Sequence, residues 1–518
     1  MTAARVVGGL FVALALLIAW PALNGQFLSD DLAIMHWLLR WDAADALWPS
    51  IFAKFGAGLD VPSHYYRPLA LITYGLDQRL FGWSPLPWHL TGFAIHVANA
   101  MLVGAVLRAL GGDALRAATA AGLFLCFPLA PEVSIWFSGR YDALAVTGML
   151  IAVYAHLHAR GLDRWRLLSL FGFALGLAAK EAAMPTPGLL VLASLLRGAD
   201  AETLLARAWR TTRECLPVTL VFFAYLGLRM ALFGSALQVY PDADPAAGMD
   251  VAEALRRVFV LGSIPQIVYA DAVFKGGLAL VATALAAFAA LVVARRDRAV
   301  AGAWLLPAAW TALSLLSLLP HLGSVYAHGE GGRFYYATAA WLAVLLAPGI
   351  AVLRGARAQV VASILLVAAF AFAQTHTLAQ WARAGAAMGA LMPQLADAAA
   401  TLGDDDFALA IVPDHIGPVP FVRNAQGGVA MPPQQATNLL PKLVPVLPVD
   451  VPTWPARIAG GDVAAIKQRD IAPRLDALFC FDARDLSLKR AAQVPDWRDA
   501  ARFDIAARDF AAHACDLR

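Results

Sequence analysis

The sequence predicts a polytopic α-helical membrane protein of the order of eleven spans, with amphipathic helices on its outer face and a small soluble α/β domain at the C-terminal end. Three observations predict it. Of the 518 residues, 60% are hydrophobic and only 15% charged, where soluble domains carry about 25% charged residues. About eleven stretches approach the roughly 20 apolar residues needed to cross the hydrocarbon. Short arginine-rich turns alternate with longer loops that carry acids, aromatics and prolines, the pattern that keeps the basic loops in the cytoplasm.

The first expected span is 6–23, an uncleaved anchor rather than a signal peptide, because Ala22-Leu23-Asn24 is a poor cleavage site. Others are expected near 89–110, 115–130, 142–159, 166–180, 184–197, 215–233, 276–294, 299–319, 334–353 and 358–375. Arginines at 108 and 116, at 160, 164 and 166, at 197, 207, 210 and 213, at 295, 296 and 298, and at 354 and 357 occupy alternate turns. That places the N-terminus inside and the tail outside, on a lumenal or periplasmic face; the expected location is a bacterial inner membrane with a periplasmic tail. Between the first two spans, Leu69, Ile72, Leu76 and Leu80 recur at helical spacing, which predicts an amphipathic helix lying on the membrane surface.

Residues 1–375 thus form the expected membrane domain and 376–518 a soluble one, where the composition turns polar and proline-rich. In the tail, Leu378 to Leu402 reads as an alanine-rich helix, and Phe407 to Val412 and Leu478 to Phe481 as short strands. A formal net charge of +3 and the lack of a nucleic-acid motif exclude a nucleic-acid partner. Of four cysteines, Cys126 and Cys215 fall in apolar runs, while Cys480 and Cys515 share the tail and are expected to pair in an oxidising compartment.

The outer loops hold the residues that suit chemistry. Asp30 and Asp31 follow the first span; a carboxylate there can draw the proton from an attacking hydroxyl, although such a pair also suits a helix cap. Tyr66 and Arg67 open the surface helix, where a guanidinium fork fits a lipid phosphate or a plain interfacial anchor. Glu132, Arg140 and Asp142 lie together in sequence and suit acceptor or sugar hydroxyls, or an ion pair of Arg140 with Asp142 at a span end. Lys180 with Glu181, and Arg333 with Tyr336, fall on the same expected face, as do His36, His64, His89, His321 and His328; His64 is a further candidate for the acceptor or sugar. No metal-ligand spacing is present. A transporter would carry its ionisable groups at mid-span between repeated halves, and neither feature is visible.

The ordered set of the acid pair, YYRPL at 65–69, PEVSIWFSGRYD at 131–142, AKEAAMPTP at 179–187 and GRFYYAT at 332–338 resembles the glycosyltransferase C superfamily over about residues 10–345. The nearest likeness is to transmembrane O-mannosyltransferases with tetratricopeptide tails and to the protein O-mannosyltransferase and aminoarabinose transferase group. The resemblance implies an inverting transfer from a polyprenyl-phosphate sugar to a protein, lipid or glycan, with Asp30 as base, Asp31 and Glu132 as further catalytic candidates, and Arg67, Lys180 and Arg333 with Tyr66 and Tyr336 around the donor phosphate. It implies no cofactor, a divalent cation being the one addition it leaves room for. The tail lacks tetratricopeptide repeats, and Glu330 stands three residues before Arg333 where the family has its acid closer. The alternatives are a lipid-linked saccharide flippase or ligase, and a scaffold that anchors the tail.

Overall fold

The computed structural model describes residues 3–43, 51, 65–196, 203–236, 298–316, 330–463 and 473–515. The expected span at 276–294 and His64, His321 and His328 lie outside them. Two compact units divide the chain: one of Met1–Trp20, Trp48–Gly82 and Pro87–Leu378, the other of Pro21–Leu47, Trp83–Leu86 and Ala379–Arg518. The acid-pair segment thus belongs with the tail's unit, whereas the sequence placed it in the membrane half.

In chain order the helices are α1 (Ala3–Leu23), α2 (Asp30–Ala43), α3 (Pro68–Phe81), α4 (Pro85–Ala109), α5 (Ala114–Leu125), α6 (Arg140–His158), α7 (Arg164–Ala179), α8 (Thr186–Leu196), α9 (Leu204–Phe233), α10 (Arg298–Leu316), α11 (Tyr336–Leu346) and α12 (Ala356–Ala400). Among the described residues five helical segments are long and apolar enough to cross a membrane: Arg5–Leu23, Pro85–Ala109, Leu204–Phe233, Gly332–Val352 and Ala356–Ala400. Leu17, Met101, Phe171, Leu220, Phe223 and Leu365 are exposed on these and neighbouring helices, as suits side chains that face lipid rather than water. The chain is an integral membrane protein.

Local chemistry explains where the helices begin and end. Asp113 and Asp163 cap α5 and α7, their carboxylates accepting from the backbone N–H of Arg116 and Arg166 at 2.9 and 3.0 Å. Gly234, at φ +72°, ends α9 in the left-handed conformation. Helix α5 stops at Leu125, short of the expected 130, because Pro128 follows within one turn and its missing N–H cannot continue the ladder. The predicted amphipathic helix is α3, with Ala70, Leu71, Tyr74 and Asp77 buried against the unit and Leu76, Leu80 and Phe81 exposed. Its apolar outer stripe suits an interfacial position.

Helices α6 and α7 form a hairpin whose backbones touch. A Cβ on Gly148 would stand 2.6 Å from the Gly176 Cα, and one on Gly172 would stand 2.9 Å from the Ala152 nitrogen. Glycines allow this approach, as small residues do between membrane helices. The Ser169 hydroxyl adds a bond to the Ala152 carbonyl at 2.9 Å.

Helix α12 spans the expected boundary at 375/376. It runs without a break from Ala356 to Ala400, because the change from apolar to polar at Gln374–His376 brings neither glycine nor proline, and polarity alone does not end a helix. The division between units falls within it, after Leu378.

The second unit holds a sheet of β1 (Ala408–Ile411), β4 (Leu443–Val446), β5 (Ala477–Asp482) and β6 (Ser487–Arg490) in the order β4-β1-β5-β6, beside a small ribbon of β2 (His415–Ile416) and β3 (Val419–Pro420). The centre is parallel, Ala408 pairing with both Leu443 and Ala477, and β6 runs antiparallel to β5. Strand β1 is buried throughout, hence its unbroken apolar run. Helices α13 (Trp454–Ala459) and α14 (Ala500–Ala514) place Trp454, Ile458, Phe503 and Ala507 in the core with Leu409, Ile411 and Leu478.

Cys480 on β5 and Cys515 at the end of α14 form a disulfide, their Cα atoms 5.7 Å apart and 35 positions apart in sequence. Closing a loop of that length stabilises by about 3–4 kcal/mol on the chain-entropy model. Replacing both cysteines with alanine is therefore expected to lower the thermal midpoint of the tail by several degrees, read by its own near-ultraviolet transition. Equal midpoints, with both wild-type thiols alkylated under native conditions, would show that the bridge does not form.

Candidate functional site

In the membrane unit the predicted cations are drawn into one chain of charges and rings. Lys180, the residue that ends α7, donates to both oxygens of Asp142 at 2.7 Å. Its ammonium lies 4.8 Å from the Tyr141 ring centre and 5.4 Å from that of Phe334. Arg67 faces the same Tyr141 at 4.2 Å, and Tyr65 at 4.3 Å. Arg333 lies over Phe334 at 4.7 Å and Trp136 at 5.4 Å, and is paired with Glu132. Two shared rings, Tyr141 and Phe334, thus join three cations that are 113 and 153 positions apart in sequence (180 − 67 and 333 − 180). Cation–ring attraction strengthens where water is excluded.

Each cation also has an acid. Arg67 meets Glu181 at 3.4 Å, and Glu181 is shared with Arg229 at 3.3 Å. The Glu132 carboxyl is pushed above the usual carboxylate range by burial, with the Glu330 charge adding to the effect and Arg333 opposing it. The Lys180–Asp142 side chains are only 5% and 4% exposed, so neither charge is solvated and each depends on the other.

Arg140 goes elsewhere. Wholly buried, it pairs with Asp77 of α3 at 2.6 Å and donates to the Trp88 carbonyl at 2.9 Å. Burial raises the Asp77 carboxyl in spite of that partner. The alternative of an Arg140–Asp142 pair does not hold: the two lie two residues apart at the start of α6, about 200° around the helix, and each takes a partner on its own side. Arg140 also packs its guanidinium over Tyr74 at 5.2 Å, within a ring cluster of Tyr74, Trp88 and Phe137. It holds α3 to the bundle through partners other than those of the three cations. Tyr336 likewise turns inward, its hydroxyl meeting His96 Nδ1 at 2.7 Å and accepting from Asn99 at 3.3 Å. Tyr66 is half-buried beside Arg67.

Arg229 and Asp77 were not singled out from the sequence. Arg229 could have been: a charge inside an apolar run is by default a functional or paired group. Asp77 carried no such signal, being one acid in a polar-looking turn of α3.

In the second unit the acid pair sits at the start of α2. Asp31 is buried, and its Oδ2 accepts from the Leu28 N–H at 3.3 Å, closing the turn that leads into the helix. Asp30 is half-buried, and its Oδ1 accepts from Asn424 Nδ2 at 3.2 Å. Ser29, at φ +52°, is held by two bonds of 2.7 Å, from its N–H to the Phe421 carbonyl and from its hydroxyl to the Arg423 carbonyl. Asp31 is thus tied into the turn before α2, and Asp30 is the more accessible carboxylate of the two. Among the described residues no group of three or more His, Cys, Asp or Glu is placed to hold a metal ion.

No family model matches the chain, and no curated protein sequence matches it. Among solved structures it is similar to the crystal structure of ArnT from Cupriavidus metallidurans in the apo state, at 15% identity and a TM-score of 0.48 over 92% of this chain and 93% of that one. The same protein bound to undecaprenyl phosphate gives 16% identity and a TM-score of 0.44 over 79% and 83%.

Proposed function

We propose that the protein is an inverting glycosyltransferase of the inner membrane that takes a sugar from a polyprenyl-phosphate donor and passes it to a periplasmic protein, lipid or glycan. The observation that carries this reading is the joining of Arg67, Lys180 and Arg333 through Tyr141 and Phe334. A phosphate that leaves a sugar gains charge as the bond breaks, and cations fixed beforehand stabilise that charge at little reorganisation cost. In the proposed step the Asp30 carboxylate takes the proton of the acceptor hydroxyl. The oxygen bonds to the anomeric carbon from the face opposite the phosphate, and the bond from that carbon to the phosphate oxygen breaks with its electron pair. The products are the glycosylated acceptor and free polyprenyl phosphate.

Cells that lack the gene are expected to accumulate one polyprenyl-phosphate sugar and to lose one envelope glycan, both read by mass spectrometry. With the accumulated donor and purified enzyme, Arg67→Ala is expected to raise the donor KM and to lower kcat by about tenfold or more, because its charge acts on both bound and leaving phosphate. Translocation of the donor with its sugar-phosphate bond intact would instead identify a flippase. Unaltered lipids and glycans in the deletion strain would overturn the proposal.

A further inference from the structure

We propose that Asn424, in the tail, is a positioning residue for the carboxylate of Asp30, and that the tail loop 421–424 forms part of the catalytic apparatus. The proposal rests on the reading of Asp30 as the base and assigns to the tail a role in that reaction.

Three hydrogen bonds join the two short segments: Ser29 N–H to the Phe421 carbonyl at 2.7 Å, the Ser29 hydroxyl to the Arg423 carbonyl at 2.7 Å, and Asn424 Nδ2 to Asp30 Oδ1 at 3.2 Å. The connection extends along α2. His36 Nδ1 meets the Pro432 carbonyl at 3.2 Å, and Gln434 donates to the Met35 sulfur at 3.1 Å. Gly428 lies so near Leu32 that an added Cβ would stand 2.9 Å from the Leu32 Cβ. The acid pair is thus not a free loop after a span.

Both ends of the clamp are backbone specialities. Ser29 and Asn424 take φ +52° and +62°, a region most side chains avoid and asparagine tolerates. With its backbone so placed, the Asn424 amide presents its N–H to one oxygen of Asp30 and so restricts the carboxylate's rotation. The second oxygen is thereby given a defined direction. A bond donated to an ionised carboxylate also favours the ionised form, which is the form a base requires.

Two variants separate position from folding. Asn424→Gly removes the donor and keeps the left-handed backbone accessible; Asn424→Asp keeps size and backbone preference but sets a second carboxylate against Asp30. Other charged or titratable groups on these segments, Asp31, His36, Arg40 and Asp42 on α2, Arg423 on the loop, and Asp414 and His415 at the strand before it, are unchanged in both. The full chain in detergent is followed by infrared spectroscopy over a pH series, with the Asp30 band identified by its loss in Asp30→Asn. Asn424→Gly is expected to raise the Asp30 titration midpoint by about half a unit and Asn424→Asp by more. With the accumulated lipid donor, kcat should fall about three- to tenfold in Asn424→Gly with KM within twofold, the mark of a group that acts after binding.

An unmoved midpoint in both variants would overturn the proposal, as would a shifted midpoint with wild-type kcat. A kcat loss accompanied by a lowered thermal midpoint and no infrared shift would make Asn424 merely structural and overturn it too. Near-normal turnover in Asp30→Asn would overturn the base assignment instead, while the infrared shift would still establish the contact.

Discussion

Asp30→Asn is expected to lower turnover by about two or more decades while donor binding survives. The change keeps size and hydrogen bonding but removes the lone-pair basicity on which proton transfer depends. Its neighbour sets the contrast. Asp31 is buried and its carboxylate accepts from the Leu28 N–H, so Asp31→Asn should act mainly on the turn, through a lowered thermal midpoint and a modest loss of rate. Adjacent residues at a helix start point about 100° apart, so one hydroxyl meets only one of them. Purified enzyme with the lipid donor decides the matter. Turnover near wild type in Asp30→Asn would remove it as the base; a comparable loss in Asp31→Asn with unchanged stability would move the role there.

Lys180→Met should cost about 3–5 kcal/mol of stability, because it leaves the Asp142 carboxylate buried and unpaired. The pair is 5% and 4% exposed, with both Asp142 oxygens on the ammonium at 2.7 Å. Water cannot easily replace the lost partner. In the double variant Lys180→Met, Asp142→Asn the orphaned charge is gone, so most of the stability is expected to return. Activity should not return, because the proposed phosphate ligand is still missing. Denaturation of the detergent-solubilised protein, beside donor turnover, separates the two effects. Recovery of both together would make Lys180 a structural residue only.

Much of this architecture is written in local sequence. Helix positions followed from apolar runs, and the strands at 408–411 and 477–482 from short apolar blocks. These are effects of neighbours within a turn or two, which a sequence displays directly. Partner choice was less legible. Asp142 and Arg140 invite pairing by proximity in sequence, yet their partners are Lys180 and Asp77, 38 and 63 positions away. Which acid a buried cation takes depends on the face of its helix and on what packs there, and neither is a property of the segment itself. The association of the acid pair with residues 421–434 is of the same kind. Leu28, Ser29 and Asp30 look like a loop after a span, and nothing in those residues tells which distant backbone will receive Ser29.

The glycine seam of the α6–α7 hairpin bears on how the protein would tolerate change. Asp142 stands at the open end of one arm and Lys180 at the end of the other, so the hairpin behaves as tweezers whose grip depends on how nearly its arms touch. Gly148, between one and two turns below Asp142, meets Gly176 at the close point. One methyl group there would wedge the arms apart against backbone that cannot turn aside, and the tips would part without any charged residue being altered. Such a lesion is graded: thermal motion opens the wedged arms more as temperature rises. A conditional phenotype, tolerable in the cold and null in the warm, is therefore to be sought at this glycine before it is sought among the ions.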